Sequence, residues 1–194
     1  MNTVNKTLSK MLLILAFCGA NLAQAGHISL NPFSTDVAIG DTISIDIVLE
    51  DPFTGAYAGD SFLGFGFDFD YDQTGLQFTH KTMGSAWDDY SDAFNDTMVV
   101  GSDSNFGIDD NGQSEFLLTT LYFEVIGAGD LFLNVFSDSA NSANQGLFYI
   151  FNDVLDINAS TSINVSQVPE PPVVALFALA LGIMGARGFR KSAV

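Results

Sequence analysis

Positive charge, cysteine and histidine are all scarce in this chain of 194 residues. Six Lys and Arg face 23 Asp and Glu, so the formal net charge is −17. Such an acidic chain repels nucleic-acid phosphates, which excludes nucleic acid as a partner. The one cysteine, Cys18, lies near the N terminus. Everything after it therefore lacks thiol catalysis and cysteine-based metal sites.

Histidine occurs only at positions 27 and 80, which argues against a hydrolase that uses a histidine as its base. A Ser-His-Asp arrangement would depend on His80, and the chain has no Gly-x-Ser-x-Gly motif around a nucleophile. No glycine-rich phosphate loop precedes a helix. The many Asp residues leave a carboxylate pair for glycoside hydrolysis open, although nothing singles out one pair. We expect a protein that is not an enzyme.

The first 25 residues have the pattern of a secretory signal peptide. A basic start is followed by an apolar stretch and by a small-residue cleavage site that signal peptidase would cut before Gly26. Phe17 stands where a lipoprotein signal carries a small residue, which argues against lipidation of Cys18. The residues of the pattern are Lys6, Lys10, Met11–Phe17, Ala23, Ala25 and Gly26.

The last 27 residues read VPEPPVVALFALALGIMGARGFRKSAV. An uncharged run from Val173 to Ala186 follows the prolines, and a basic cluster of Arg187, Arg190 and Lys191 follows the run. A helix of this length rises only ~21 Å, against ~30 Å of bilayer hydrocarbon. The alternative is a buried core helix, but the run has no polar face. The basic cluster favours a membrane anchor with its end in the cytoplasm.

This tail resembles the PEP-CTERM sorting signal of Gram-negative bacteria. The resemblance implies that an exosortase, a membrane-embedded protease-transpeptidase, recognises Pro169, Glu170 and Pro171 and removes the tail. It also implies an inner-membrane intermediate, then the cell surface or extracellular matrix, and an association with exopolysaccharide and biofilm. The expected organisation is a signal peptide at 1–25, one domain at 26–167 and the sorting signal at 168–194.

Short alternating stretches fill the region between the two ends. In TISIDIVLE, Thr42 to Glu50, the isoleucines share one face, and in GFGFDFDYD, Gly64 to Asp72, the aromatic residues do. This period of two predicts strands with one buried face, as in an antiparallel β-sandwich. The stretch 116–125 is apolar on both faces, which predicts a central strand, and 131–136 is expected to form a hairpin with it. Shorter strands are predicted at 27–30, 76–79, 98–101, 146–151 and 162–165.

Three of these strings resemble the cohesin-like domain, a jelly-roll sandwich. They are VAIGDTISIDIVLED, FLGFGFDFDYDQTGLQF and LLTTLYFEVIGAGDLFLNV. The resemblance covers most of 26–165 and implies an all-β fold and a binding module for a protein or a glycan. No dockerin-type calcium repeat is present in the sequence.

Alternation places Asp68, Asp70 and Asp72 on one face of a strand, with neighbours ~6.5 Å apart. Three carboxylates in a row would suit calcium if a nearby loop added oxygen ligands. A solvated strand face is the alternative, with Asp72 starting the turn into Gly75. An EF-hand loop is excluded because Gln73 stands where the loop needs glycine.

The loop DSNFGIDDNG is the second candidate for calcium, the only cofactor that we consider. It brings together Asp103, Asn105, Asp109, Asp110 and Asn111, and oxygen-rich loops of this kind bind calcium in extracellular domains. The same residues are also ordinary turn formers. The sequence leaves both interpretations open, a calcium site and an ordinary turn.

The stretch WDDYSDAF contains the chain's one tryptophan, Trp87, and Tyr90. Amphipathic rings such as these suit contact with a sugar, so exopolysaccharide is a candidate ligand. The alternative is a loop that packs both rings inward.

Overall fold

The computed structural model describes residues 26–166, apart from 35, 36, 95, 96, 139, 142 and 144. The expected signal peptide and sorting signal, with their cleavage site, Pro-Glu-Pro element, apolar run and basic cluster, lie outside the described residues except for Gly26. The strands are β1 (His27–Pro32), β2 (Val37–Ala38), β3 (Thr42–Glu50), β4 (Ser61–Tyr71), β5 (Leu76–Met83), β6 (Asp88–Asp89), β7 (Met98–Ser102), β8 (Ile108–Asp109), β9 (Glu115–Val125), β10 (Gly129–Phe136), β11 (Gly146–Tyr149) and β12 (Asn158–Ser166).

The described strands form two sheets. The first, sheet A, has the order β1-β3-β9-β5, and the second, sheet B, has the order β2-β12-β10-β4-β7-β6. The strands β8 and β11 also pair with β4. Among the described strand pairs, only β2 and β12 run parallel. The all-β antiparallel sandwich predicted for the middle of the chain is confirmed.

The core forms where the inner faces of the two sheets meet. Strand β3 contributes one face of Ile43, Ile45, Ile47 and Leu49, all of them buried, because its apolar residues recur every second position. Strand β4 supplies Phe65, Phe67 and Phe69 by the same alternation. Burial of one such side chain stabilises the fold by ~1.5–3 kcal/mol. The period-two pattern therefore sets which face of each strand is turned inward.

Rings from the two sheets contact each other across this core. Phe69 of sheet B packs edge-on against Phe123 of sheet A, with ring centroids 6.3 Å apart. Phe78 of β5 contacts the same two rings at 5.0 and 5.7 Å. Edge-to-face pairs of this kind add about 0.5–1.5 kcal/mol to the burial of area. Phenylalanine side chains thus form part of the packing between the two sheets.

The hairpin predicted between β9 and β10 is wrong. Strand β9 pairs with β3 and β5 in sheet A, whereas β10 pairs with β4 and β12 in sheet B. The amides of Ile126 and Gly127 donate to the carbonyl of Gly75 at 2.8 and 3.2 Å, so the connection is held against the β4–β5 turn and leads to the other sheet. A side chain at Gly127 would meet the carbonyl oxygen of Thr74. The glycine permits this close passage and does not mark a hairpin.

Candidate functional site

The middle of β4 has no side chains on its outer face. Phe65 and Phe67 point into the core, and Gly64 and Gly66 occupy the alternate positions of β4, where both are buried. Gly64 pairs with Phe148 of β11 on one side and with Ser102 of β7 on the other. Because Gly64 has no side chain, a depression remains along β4 between Phe148 and Ser102.

Gly64 is required by the approach of β7. A Cβ atom at this position would collide with the carbonyl oxygen of Gly101 and lie 2.9 Å from the Cα of Ser102. Both obstacles are backbone atoms, which cannot move aside without opening the β4–β7 pair. The depression is therefore a consequence of the packing of the strands.

We call this depression the β4 groove. Its volume is about 340 Å³, in the range of small ligand pockets. Apolar side chains dominate it, as is usual for sites that bind ligands or peptide side chains. Its lining consists of Leu63, Gly64, Phe65, Val100, Gly101, Ser102, Ala143 and Phe148.

Beyond the groove, the outer face of β4 becomes acidic. Asp68 and Asp70 follow Gly66 at alternate positions, and Asp70 is exposed. Asp72 has left the strand: the hydroxyl and amide of Thr74 donate to its Oδ1 at 2.6 and 2.9 Å. These bonds lower the pKa of the Asp72 carboxyl. Asp72 therefore starts the turn into Gly75, as the alternative interpretation has it, and Asp68 and Asp70 form an acidic end to the groove.

Two carboxylates of the 103–112 loop accept hydrogen bonds from the loop's own backbone, and a third accepts one from Ser61 of β4. Asp103 Oδ2 accepts hydrogen bonds from the amides of Asn105 and Gly107 at 2.7 and 3.0 Å. Asp109 Oδ1 accepts a bond from the hydroxyl of Ser61, and Asp110 Oδ1 accepts one from the amide of Gly112 at 3.1 Å. The contacts of Asp103 and Asp110 are those of turn-forming residues.

Within the described residues, no group of three or more His, Cys, Asp or Glu side chains is arranged to hold a metal ion. A calcium site at Asp103, Asn105, Asp109 and Asp110 stays a prediction from the sequence. Oxygen ligands from Asn side chains or from backbone carbonyls would have to complete it.

The structure separates Trp87 from Tyr90. Trp87 is only 6% exposed, and it packs edge-on against Phe62 and Phe65 at 5.1 and 5.5 Å. Its Nε1 donates to the carbonyl of Leu117 at 3.0 Å. The ring is enclosed by the core and has no open face for a sugar, so the inward-packing alternative describes Trp87. Tyr90 is 53% exposed, and its contact with a sugar stays a prediction.

His80 lies on the outer face of sheet A. Its ring stacks on Tyr122, with centroids 4.3 Å apart and the planes within 4° of parallel. Its Nδ1 lies 3.1 Å from Oγ1 of Thr79. His27 forms an ion pair with Glu50 when it is protonated, at 2.7 Å. The described contacts of both histidines thus contain no Ser-His-Asp arrangement.

A buried carboxylate that sequence reasoning missed lies at Asp60, which is 1% exposed. Its Oδ1 accepts the amides of Ser61 and Phe151 at 2.9 Å each, and its Oδ2 accepts the amide of Asn152 at 3.0 Å. Burial first, and the negative charge of Asp60 second, raise the pKa of Tyr149. The carboxylate joins the start of β4 to the segment after β11. No pattern in the neighbouring sequence indicates this role.

Two outward phenylalanines on β10 were also missed. Leu131, Leu133 and Val135 are buried, so Phe132 and Phe136 face solvent, 41% and 39% exposed. A polar cavity of about 210 Å³ adjoins the second ring. Its lining consists of Phe136, Ser137, Asp156, Ile157 and Asn158.

In the part of the chain that the structure describes, no helix is long and apolar enough to cross a bilayer. The predicted anchor at 173–186 lies outside that part. The role predicted for Pro169, Glu170 and Pro171 and for the basic cluster is therefore still a prediction.

No protein-family model matches this chain, and no curated protein matches its sequence. Solved structures share its fold. A cohesin module from a family 33 glycoside hydrolase of Clostridium perfringens superposes with a TM-score of 0.52 and 10% identity over 75% of this chain and 99% of the module. The second type II cohesin module of the ScaA scaffoldin of Acetivibrio cellulolyticus gives a TM-score of 0.47 and 12% identity over 75% and 93%. The first match shows a cohesin-like fold, and at this identity it shows the fold alone.

Proposed function

We propose that this chain is an exported, non-enzymatic binding module whose cohesin-like sandwich holds a partner protein in the β4 groove. The observation that carries this proposal is the groove itself, an apolar depression of about 340 Å³ between β7 and β11. Gly64 in its lining has no side chain, so a partner's side chain can approach β4 closely there. Binding pockets are typically lined by apolar side chains with a few positioned polar groups, as this groove is.

The charge around the groove specifies the partner's chemistry. The groove leads along β4 to Asp68 and Asp70, and the whole chain has a net charge of −17. An apolar anchor followed by Lys or Arg at a spacing of a few residues would therefore match both ends of the site. The apolar anchor would provide most of the affinity, and the basic residues would speed association and fix the direction of the segment.

Delivery to the cell surface is the second half of the proposal. Signal peptidase would remove 1–25 after export, and an exosortase would recognise Pro169, Glu170 and Pro171 and remove the tail. The basic cluster of Arg187, Arg190 and Lys191 would hold the short apolar run in the inner membrane until then. The processed module would act at the surface or in the exopolysaccharide matrix of a biofilm.

Peptide binding tests the groove. We would titrate the full chain into labelled synthetic peptides that carry a Leu or Phe anchor and two Lys residues, and follow fluorescence anisotropy. Ser102→Trp would fill the groove and abolish binding, whereas Thr82→Trp adds the same bulk on the exposed face of sheet A and would leave binding unchanged. Higher salt would weaken binding. If no such peptide binds, or if Ser102→Trp binds as well as the parent chain, the groove has no such role.

Replacement of Glu170 tests the sorting step separately. In cells that contain an exosortase, Glu170→Ala would leave the full-length chain in the membrane fraction, and the parent chain would be shortened and released. Glu115→Ala, a change on the exposed start of β9, is the matched control and would be processed normally. Normal release of the Glu170 variant would contradict recognition of the Pro-Glu-Pro element.

A further inference from the structure

Two aromatic rings of β10 stand on the outer face of sheet B, and neither lines the β4 groove. Phe132 and Phe136 are four residues apart on β10, which separates their Cα atoms by ~13 Å. Their side chains are 41% and 39% exposed, so each ring is partly open to solvent. Both side chains lie on the face opposite the core, because Leu133 and Val135 between them are buried.

Polar side chains flank these rings on both neighbouring strands. Asn158 of β12 is opposite Phe136, and Ser162 of β12 is opposite Phe132. On β4, Asp68 is opposite Phe136, and Asp70 is opposite Asn134, which lies between the two rings. Neighbouring strands lie ~4.8 Å apart, so the amide, hydroxyl and carboxylate groups on β12 and β4 are next to the two rings. Donors and acceptors beside an open aromatic face provide what a sugar needs, since its ring has both C–H groups and hydroxyl groups.

The cavity beside Phe136 adds a fixed set of polar groups. Ser137 Oγ accepts the amide of Ile157 at 3.1 Å and lies 3.4 Å from Oδ1 of Asp156. The hydroxyl and the carboxylate line the same cavity as Phe136. Binding sites characteristically combine one apolar surface with a few positioned polar groups.

We propose that this surface, which we call the Phe132–Phe136 face, binds a neutral polysaccharide by stacking of the two rings on sugar units. The ligand must be an extended polymer, because the Cα atoms of Phe132 and Phe136 are ~13 Å apart along one strand. A neutral polymer is required because the net charge of −17 and the nearby Asp70 and Asp156 repel uronic acids, phosphates and anionic lipid. This proposal does not depend on the β4 groove, since its two rings lie on β10 and its ligand is different, although Asp68 and Asp70 of β4 flank both surfaces.

Affinity electrophoresis tests the proposal. The full chain would be run in native gels that contain hydroxyethylcellulose, a neutral β-glucan, or alginate, a polymer of uronic acids. We expect retardation by the neutral glucan and none by alginate. The double replacement Phe132→Ala and Phe136→Ala would weaken binding about tenfold or more, since each stacked ring contributes a severalfold gain in affinity. Phe136→Trp retains a ring and would retain binding.

Matched variants separate this role from others. Phe33→Ala removes a more exposed phenylalanine, 89% exposed, from the segment between β1 and β2 and would leave retardation unchanged. Ser102→Trp would also leave it unchanged, so that failure of the groove and failure of this face can be told apart. The proposal is overturned if the neutral glucan does not retard the chain, if alginate retards it equally, or if the double variant is retarded like the parent. Retardation by the glucan that Phe33→Ala reduces as strongly would overturn it as well.

Discussion

Lys81 Nζ lies 3.6 Å from Asp89 Oδ2 and joins the edge of sheet A to the edge of sheet B. Lys81 is on β5 and Asp89 is on β6, so the ion pair bridges two sheets that share no backbone ladder there. Partial burial raises the pKa of Asp89, but the hydrogen bonds from Ser91 and the charge of Lys81 outweigh it and hold that pKa below its ordinary value of 3.8. The only Lys or Arg between residues 26 and 167 is thus used to tie the sandwich together.

Lys81→Met would destabilise the sandwich by about 0.5–1 kcal/mol, because the pair is only partly shielded from water. The pKa of Asp89 is depressed in the folded state, so the ionised carboxylate stabilises the fold above pH 3.8 and this contribution is lost as the pH falls below that value. Urea denaturation of the parent chain and the variant at several pH values measures this. A difference between them that persists undiminished at pH 2 would assign the effect to packing of the lysine stem.

Gly64→Ala would destabilise the fold by about 1–3 kcal/mol or more, because the new Cβ atom meets the backbone of β7. Gly129→Ala is the matched control. It too has a positive φ, at 131° against 158° for Gly64, but its Cβ atom would meet nothing within 4 Å. Thermal unfolding of both variants separates the clash from backbone strain. Equal losses of stability in the two variants would show that backbone strain alone destabilises Gly64→Ala and that β7 does not pack tightly against Gly64.

Strand positions were predictable wherever apolar residues alternate with polar ones. β3 begins and ends where the isoleucine pattern of Thr42–Glu50 does. β12 is longer than the predicted 162–165, because its first half, Asn158–Thr161, has no large apolar residue to reveal which face is buried. Sheet membership was not predictable for β10, since a glycine-rich connection suits either a hairpin or a passage between sheets.

The candidate sites were less predictable than the strands, because each depends on neighbours that are distant in sequence. Gly64 forms a groove only because β7 and β11 flank it. In LFLNVF of β10, residues on both faces are apolar, and the larger phenylalanines would be expected inside. The leucines and Val135 occupy the core instead. No local pattern marks this choice, so neither outward ring was predicted.

Asp60→Ala would cost about 3 kcal/mol or more, because three backbone amides lose a charged acceptor in a buried site. Asp60→Asn retains one acceptor oxygen and would cost less. Asp153→Ala, on an exposed residue of the same segment, would change stability by less than ~0.5 kcal/mol. The measurement is the free energy of unfolding in urea, with hydrogen exchange of the Phe151 and Asn152 amides as a local readout. Slow exchange of those amides in Asp60→Ala would show that another group holds the segment.

Trp87→Ala would destabilise the sandwich by about 3–5 kcal/mol, because its ring fills the space between Phe62, Phe65 and Phe116 and its indole N–H satisfies the carbonyl of Leu117. Tyr90→Ala would be nearly neutral for stability, since that ring is mostly exposed. Thermal unfolding monitored by near-ultraviolet circular dichroism distinguishes the two. A Trp87 variant as stable as the Tyr90 variant would place the indole outside the core and return it to the candidates for sugar contact. If the Trp87 variant alone is destabilised, a loss of glycan binding in that variant reflects unfolding. Tyr90 is then the residue of this stretch whose contact with a sugar should be tested.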